Sequence, residues 1–250
     1  MANRLKGKVA VITGGNSGIG LATAKLFQTE GANVVITGRR QDAVEAAVKE
    51  IGGNCTGFVS DTGNLNDIQA LYQKVKEQIG NIDVLFLNAG IAKFGPFTSV
   101  DEATFDEMVN VNFKGLFFNV QKAFPLLNEG ASVIFTTSIT DQKGFADTSV
   151  YSATKAAARS LARTLSAELV DKKIRVNAIA PGPIDTPIYE KIGIPEEAVG
   201  VVKDGYKSLV PMKRMGSPDE IARVALFLAS DDSSFVLGID LAVDGGVAQL

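Results

Sequence analysis

Short runs rich in Val and Ile alternate along the whole chain with longer segments of helical period. The runs are "KVAVIT", "NVVITG", "TGFVS", "IDVLFLNAG", "ASVIFTTS", "IRVNAIAPG" and "IDLAVDGG". Strand-length runs alternating with helix-length segments mean βαβ units, and hence a parallel sheet covered on both faces. The predicted fold class is therefore α/β, a doubly wound parallel sheet with helices on both sides. The intervening segments fit helices: in "NDIQALYQKVKEQIG" the residues Ile68, Leu71, Tyr72, Val75 and Ile79 form one apolar stripe. No repeat, linker or low-complexity tract breaks the pattern, so residues 1–250 are expected to form a single domain. The least regular part, 183–217, is rich in Gly and Pro, with "PEEAVGVVKDGYKSL" as a short helical piece. An excursion of this length is more often functional than idle, and it is assigned to substrate binding.

"VAVITGGNSGIGLATAKLF" is a strand, a glycine turn and a helix in immediate succession, with Gly14, Gly18 and Gly20 where the backbone turns and the helix starts. Glycine lets the backbone approach a pyrophosphate, whose charge is met by amide N–H groups and the positive end of the helix dipole. A dinucleotide site is expected there. An acidic residue at the end of the second strand would accept from the adenosine ribose 2′-OH of NAD, but this chain has Gly38, Arg39 and Arg40. A guanidinium pairs with a 2′-phosphate or stacks on adenine, so the expected cofactor is NADP(H). The competing use of Arg39 and Arg40 is as solvated charges opening a helix, where cations are unfavourable. Asp61, ending the third strand in "VSDTGNL", either accepts from the adenine amino group or caps the loop Thr62 to Asn66.

Composition removes much of the remaining chemistry. With no histidine, Ser-His-Asp hydrolysis, Cys-His pairs and His-based metal sites are impossible, and one cysteine, Cys55, excludes an intramolecular disulfide and a cysteine-rich zinc site. No metal is expected, and Cys55 reads as a buried structural thiol. A net charge of −3 with scattered Lys and Arg offers no field for nucleic acid. The amino terminus has no signal-type apolar region and no run approaches spanning length, so no membrane partner and a cytoplasmic location are expected. Acid/base work must fall to carboxylate, lysine or tyrosine. Two Tyr-x-x-x-Lys pairs share a helix face by spacing: Tyr72 with Lys76, and Tyr151 with Lys155.

The series of motifs resembles the short-chain dehydrogenase/reductase family. "TGGNSGIG", "NAG" at Asn88 to Gly90, Asn112 in "VNVNFKG", "SVIFTTS" ending at Ser138, Tyr151 with Lys155, and "PGPIDT" at Pro181 to Thr186 follow one another in the family's order over essentially the whole chain. Within the family the chain is most similar to NADPH-dependent alcohol dehydrogenases and ketoreductases of broad range, with glucose dehydrogenases and carrier-protein reductases sharing most motifs. The resemblance implies a Rossmann-type sheet of about seven strands in the order 3-2-1-4-5-6-7. It implies a cofactor held by Thr13, Gly14, Asn16, Ser17, Gly18, Ile19, Gly20, Arg39, Arg40, Asp61, Thr62, Asn88, Ala89, Gly90, Tyr151, Lys155, Pro181, Gly182, Ile184 and Thr186.

In such a sheet ligands sit outside the carboxyl ends of the strands, where each following helix begins. Tyr151 falls near the first turn of its helix at that edge, whereas Tyr72 lies mid-helix on an apolar stripe, so Tyr151 and Lys155 are the expected reactive pair. An ammonium beside a phenol lowers its pKa toward the range useful for proton exchange. By the resemblance, Tyr151 is general acid/base, Lys155 its electrostatic partner and ribose ligand, Ser138 a donor to the carbonyl oxygen, and Asn112 the support of a proton relay. Substrate walls are expected from Phe94 and Phe97, from Gln142 and Phe145, and from Ile188 and Tyr189. Mostly apolar walls favour a ketone or secondary alcohol over a sugar. The family also implies a homotetramer. Two rivals stand beside this reading: a reductase or polyol dehydrogenase of the same family, and a non-catalytic NADP(H)-sensing module.

Overall fold

The β-branched runs form strands because their side chains pack well on a pleated surface, and side chains pointing alternately up and down give the sheet two buried faces. In the computed structural model, which describes residues 3–190, 192 and 196–250, the chain runs β1 (Val9–Thr13), α1 (Gly18–Thr29), β2 (Asn33–Gly38), α2 (Gln41–Ile51), β3 (Cys55–Val59), α3 (Leu65–Gln78) and β4 (Ile82–Leu87). It continues through α4 (Glu102–Val109), α5 (Gly115–Ala123), β5 (Leu127–Thr136), α6 (Ser149–Leu169), β6 (Arg175–Pro181), α7 (Val199–Leu209), α8 (Pro218–Ala229) and β7 (Asp240–Val243). Residues 191 and 193–195 of the 183–217 excursion lie outside the described residues. The seven strands pair in the order β3-β2-β1-β4-β5-β6-β7, every pair parallel, as the motif series implies.

Alternate strand residues go to opposite cores. Val11, Leu85, Val133, Phe135 and Val176 meet Ile68, Leu71 and Tyr72 of α3, Leu116 and Val120 of α5, and Ala158 and Ala162 of α6. Ala10, Ile12, Val84, Phe86, Ile134 and Ile179 meet Ala24 and Phe27 of α1 and Ile221, Ala225 and Leu226 of α8. The doubly wound arrangement leaves the carboxyl ends of the strands as the one edge where loops from both halves converge. Among the described residues no helix is long and apolar enough to cross a membrane.

Three local features shape that edge. β5 starts at Leu127, four residues before its apolar run, and ends at Thr136, so Ser138 stands beyond the strand in the turn Ile139–Asp141, which it N-caps. A π turn, Asn110–Lys114, joins α4 to α5; such bulges add a residue to one helical turn and re-aim its side chains. Gly115, just after it, lies so close to the loop following β3 that a Cβ would stand 2.0 Å from the Thr62 carbonyl oxygen.

Candidate active site

The glycine turn is built for close backbone approach. Gly14 and Gly18 have φ of +64° and +51°, and a Cβ at Gly20 would lie 2.2 Å from the Gly14 carbonyl oxygen. Ser17, the N-cap of α1, makes no side-chain cap, and no acidic residue occupies the helix's first turn. By contrast Asn64 and Asp101 cap α3 and α4 with their side chains. The first amides of α1 therefore point at the edge without an internal acceptor, the arrangement that receives a phosphate. Around the turn, Thr13 Oγ1 accepts from the backbone N–H groups of Asn88 and Ala89, both at 3.1 Å, and Asn88 Nδ2 donates to the Thr13 and Gly14 carbonyls at 3.3 Å. The Asn16 side chain lies over Gly38, whose Cβ would stand 2.6 Å from Asn16 Oδ1.

Arg39 and Asp61 line a groove of about 370 Å³ beyond the ends of β2 and β3. Arg40 is directed elsewhere, into an exposed pair with Asp42 at 3.3 Å. Asp61 accepts from Gly63 N–H through Oδ1 at 2.8 Å, which is the loop-capping use, while Thr62 is buried. On the far side Thr186 packs against Gly18, with 3.4 Å to a Cβ built there, and Gly182, following Pro181, presses against Asp244. Ile19 packs partly on the core of α1, and Ile184 is buried in that core, its Cδ1 against Gly216. The glycine cradle, the open helix start and the Arg39 groove together fit a dinucleotide.

The residues expected to carry the reaction converge next to it. Lys155 donates from Nζ to the Thr136 carbonyl at 2.8 Å and stands 5.6 Å from the Tyr151 ring centroid. A Cβ at Gly90 would lie 3.2 Å from Asn112 Oδ1 and 3.4 Å from Lys155 Nζ, so the Asn88–Gly90 loop, the π turn and α6 meet at one point. Asn112 acts there as a clamp: Oδ1 accepts from Ile91 N–H and Nδ2 donates to the Ile91 carbonyl, both at 2.9 Å, with Thr154 Oγ1 3.2 Å from Nδ2. Ser138 Oγ accepts from Thr140 N–H at 3.3 Å. Burial pushes the Tyr151 phenol up to about 12, with the Ser138 hydroxyl pulling the other way, and burial holds Lys155 down at about 8, against Asp141. The ammonium expected to lower the phenol does not do so: Lys155 donates to the Thr136 carbonyl, and desolvation penalises both charged forms. Near neutral pH the site therefore keeps its proton on Tyr151.

Tyr72 has no such setting. Its hydroxyl donates to Asn119 Oδ1 at 3.0 Å in the core, burial raises its pKa, and Lys76 is exposed. Cys55 is half-buried, its thiol pushed up to about 11 by burial.

Of the expected walls, Phe94 meets Tyr151 edge-on at 5.5 Å, and Tyr189 is buried in the same cluster with Ala92, Ile192 and Met215. Gln142 is turned away, donating to Asp240 at 2.9 Å, and Phe145 packs with Val210 and Val247. Ile188 and Phe97 are exposed, Phe97 by 77%. Sequence reading missed Tyr206, which stacks 5.6 Å from Tyr189 and helps raise the Tyr151 pKa after burial. The signal was present in Val199, Val202 and Tyr206, which recur at helical spacing along α7 and pack on that cluster.

Residues 14–248 match the family model described as enoyl-(acyl carrier protein) reductase. The fold also superposes with a TM-score of 0.93 on a short-chain dehydrogenase/reductase, glucose/ribitol dehydrogenase, from Brucella melitensis, at 33% identity and full coverage of both chains, 100% each. The chain belongs to the short-chain dehydrogenase/reductase family. Relatives in the family include oxidoreductase asL5 of Sarocladium schorii, 42% identical over 99% of this chain and 98% of its own. A 3-oxoacyl-acyl-carrier-protein reductase of Thermotoga maritima is 38% identical over 98% of this chain and 99% of its own. An NADP-dependent (R)-specific alcohol dehydrogenase of Lentilactobacillus kefiri is 38% identical over 98% of each. As a member of this family the protein is an oxidoreductase that uses NAD(P)(H) and acts on small molecules.

Proposed function

We propose that this short-chain dehydrogenase/reductase interconverts ketones and secondary alcohols with NADP(H). The observation that carries the reading is Tyr151: half-buried beside Phe94, holding its proton, and near Lys155 and Ser138 at the edge where the glycine turn opens. A nicotinamide bound there supplies or takes up the hydride. Tyr151 gives its proton to the carbonyl oxygen during reduction and takes it back during oxidation. Lys155 stabilises the phenolate that ketone reduction leaves on Tyr151 and that alcohol oxidation consumes, and Ser138 donates to the same carbonyl oxygen. Asn112 holds the Ile91 loop against the π turn and so keeps the proton path from Lys155 aligned.

The choice of NADP(H) is supported by Arg39, the one cation among the described residues of a groove it shares with Asp61, Asp106 and Glu107, and by a second strand that ends without a carboxylate. The Lentilactobacillus kefiri relative's named cofactor agrees with that choice. Phe94, Tyr189, Met215 and Tyr206 around Tyr151 favour an apolar ketone, because a sugar requires several buried donors and acceptors. A carrier-protein substrate is the second reading, supported by the Thermotoga maritima relative. Beside the site, however, Lys203, Lys207 and Arg214 are paired with Asp185, Asp204 and Glu220 at 2.7, 2.8 and 2.7 Å, which neutralises three of the cations an acidic carrier would use. The same reading makes the protein a homotetramer, supported by exposed Phe105 and Phe117 on α4 and α5 and exposed Phe235, Leu237 and Ile239 leading into β7.

The test is nicotinamide absorbance with NADPH and with NADH against an aryl ketone, a diketone, an acetoacetyl thioester and, in reverse, glucose. NADPH-dependent ketone reduction is expected. Binding of NADPH without turnover would favour a sensing module, and preference for NADH would overturn the role given to Arg39.

A further inference from the structure

Tyr151, Lys155 and Arg159 lie at four-residue intervals on α6, so the reactive row continues one turn past the lysine. Arg159 reaches two carboxylates. Its Nη1 is 3.7 Å from Asp141 Oδ1 and its Nε is 3.4 Å from Asp240 Oδ2, and the two acidic side chains are 0% and 3% exposed. Asp141 ends the turn that Ser138 opens, and Asp240 begins β7. Two buried carboxylates thus face one guanidinium, and burial beside a like charge drives a carboxyl such as Asp141 toward its protonated form.

Hydrogen-bond counting points the same way. Asp240 is supplied with donors, Thr137 Oγ1 at 2.6 Å and Gln142 Nε2 at 2.9 Å, while the Ile179 carbonyl accepts from Thr137 N–H at 2.8 Å. Asp141 is not so supplied. Among the described residues, the buried side-chain polar atoms without a hydrogen-bond partner are Thr140 Oγ1, both oxygens of Asp141 and Arg159 Nε, all in this one cluster. Buried polar groups are so regularly paired that a concentration of exceptions beside a reactive tyrosine calls for a role.

We propose that Asp141 is a positioning residue: buried beside Asp240 and against Arg159, it pins the Ser138 turn near α6 and β7, and by its charge state it adds to how firmly Tyr151 keeps its own proton. The inference rests on the reading of Tyr151 as acid/base. The link to α6 is the ion pair of Asp141 Oδ1 with Arg159 Nη1 at 3.7 Å, and the link to β7 is Gln142, next to Asp141, donating to Asp240 Oδ2 at 2.9 Å. Burial first, then the charge of Asp240, pushes Asp141 up to about 7, while Arg159 and Lys155 oppose. The groups facing it are Asp240 from β7, Tyr151, Lys155 and Arg159 from α6, and Ser138 within its own turn. Ionised Asp141 favours protonated Tyr151, the form that reduces a ketone; neutral Asp141 eases formation of the phenolate that oxidises an alcohol.

The test uses Asp141→Asn and Asp240→Asn in two measurements, alcohol oxidation against pH and melting temperature of the cofactor-free chain between pH 4 and 8. Without the Asp141 charge the rise of alcohol oxidation with pH is expected to move about half a unit toward acid, a roughly threefold higher rate below its midpoint. A carboxyl whose folded pKa is raised stabilises fully below its unfolded value and loses that stability as pH climbs through the folded value. The parent's melting temperature relative to Asp141→Asn is therefore expected to fall from about pH 4 to about pH 7. In Asp240→Asn, Arg159 serves Asp141 alone, and the corresponding titration moves to lower pH. An unchanged rate profile together with a melting difference flat in pH overturns the proposal. Should Asp141→Asn fail to fold, an unshifted titration in Asp240→Asn overturns it equally. The melting arm needs no turnover: a parent with the expected slope but no activity on alcohols or ketones sinks the functional reading and leaves the buried titration of Asp141 standing.

Discussion

Tyr72 and Tyr151 each precede a lysine by four residues, and only their surroundings separate them. Tyr72 is locked to Asn119 inside the core, so Tyr72→Phe is expected to leave turnover intact and to strand a buried acceptor, costing about 1 to 2 kcal/mol and a few degrees of melting temperature. Tyr151→Phe is expected to keep the fold, because this hydroxyl faces the reactive edge, and to cut the ketone-reduction rate by about 10²- to 10⁴-fold. Circular dichroism alongside the rates separates a lost proton donor from a lost fold. Arg39→Ala is expected to raise the NADPH KM about tenfold or more while NADH changes little, since a guanidinium–phosphate contact is worth roughly 1.5 to 3 kcal/mol. Steady-state rates with both cofactors check it.

At the scale of elements, helix starts divide into closed and open ones. α8 carries a capping box in which Ser217 and Glu220 satisfy each other's backbone, and Arg214 grips Glu220 at 2.7 Å. The Arg214 hydrogen bond first, and the Ser217 N–H next, hold Glu220 down at about 2. Because its folded pKa is depressed, this support is present above about pH 4.5 and lost as pH falls through about 2. Ser217→Ala is expected to cost about 1 kcal/mol at neutral pH, measured by denaturant unfolding. α1 lacks any such side-chain cap, and its turn depends on glycine instead. Gly20→Ala forces a methyl to 2.2 Å from the Gly14 carbonyl, so it is expected to spoil NADPH binding, read by fluorescence titration, in a chain that still folds.

For the molecule as a whole, two cores share one central sheet, so heat or denaturant is expected to unfold residues 1–250 in a single transition, with near-UV and far-UV signals coincident. Phe235, 103% exposed, and Leu250, 88% exposed, flank β7 and are large apolar groups left in water by one chain. Sedimentation is expected to give about four times the 26.4 kDa chain, and Phe235→Asp to give a smaller species.

The strand and helix pattern was legible from the sequence because side-chain period reports which face of a local segment is buried, and that needs no knowledge of distant residues. The glycine turn was legible for a similar reason: only glycine tolerates the φ and the close approach at Gly14, Gly18 and Gly20. The resemblance supplied the strand order, which local pattern does not contain. Side-chain direction in the irregular segments was beyond the sequence. Gln142 and Phe145, in the turn region after β5, face Asp240 and the C-terminal segment because strand order brings β7 beside β6, and nothing within a few residues of either encodes that. The choice of Tyr151 over Tyr72 as the candidate could be made from its place near the start of α6; that burial holds its proton could not. Desolvation depends on everything packed around a group, and Asp141, Arg159 and Asp240 reach one another only when three separated segments meet at the same edge of the sheet.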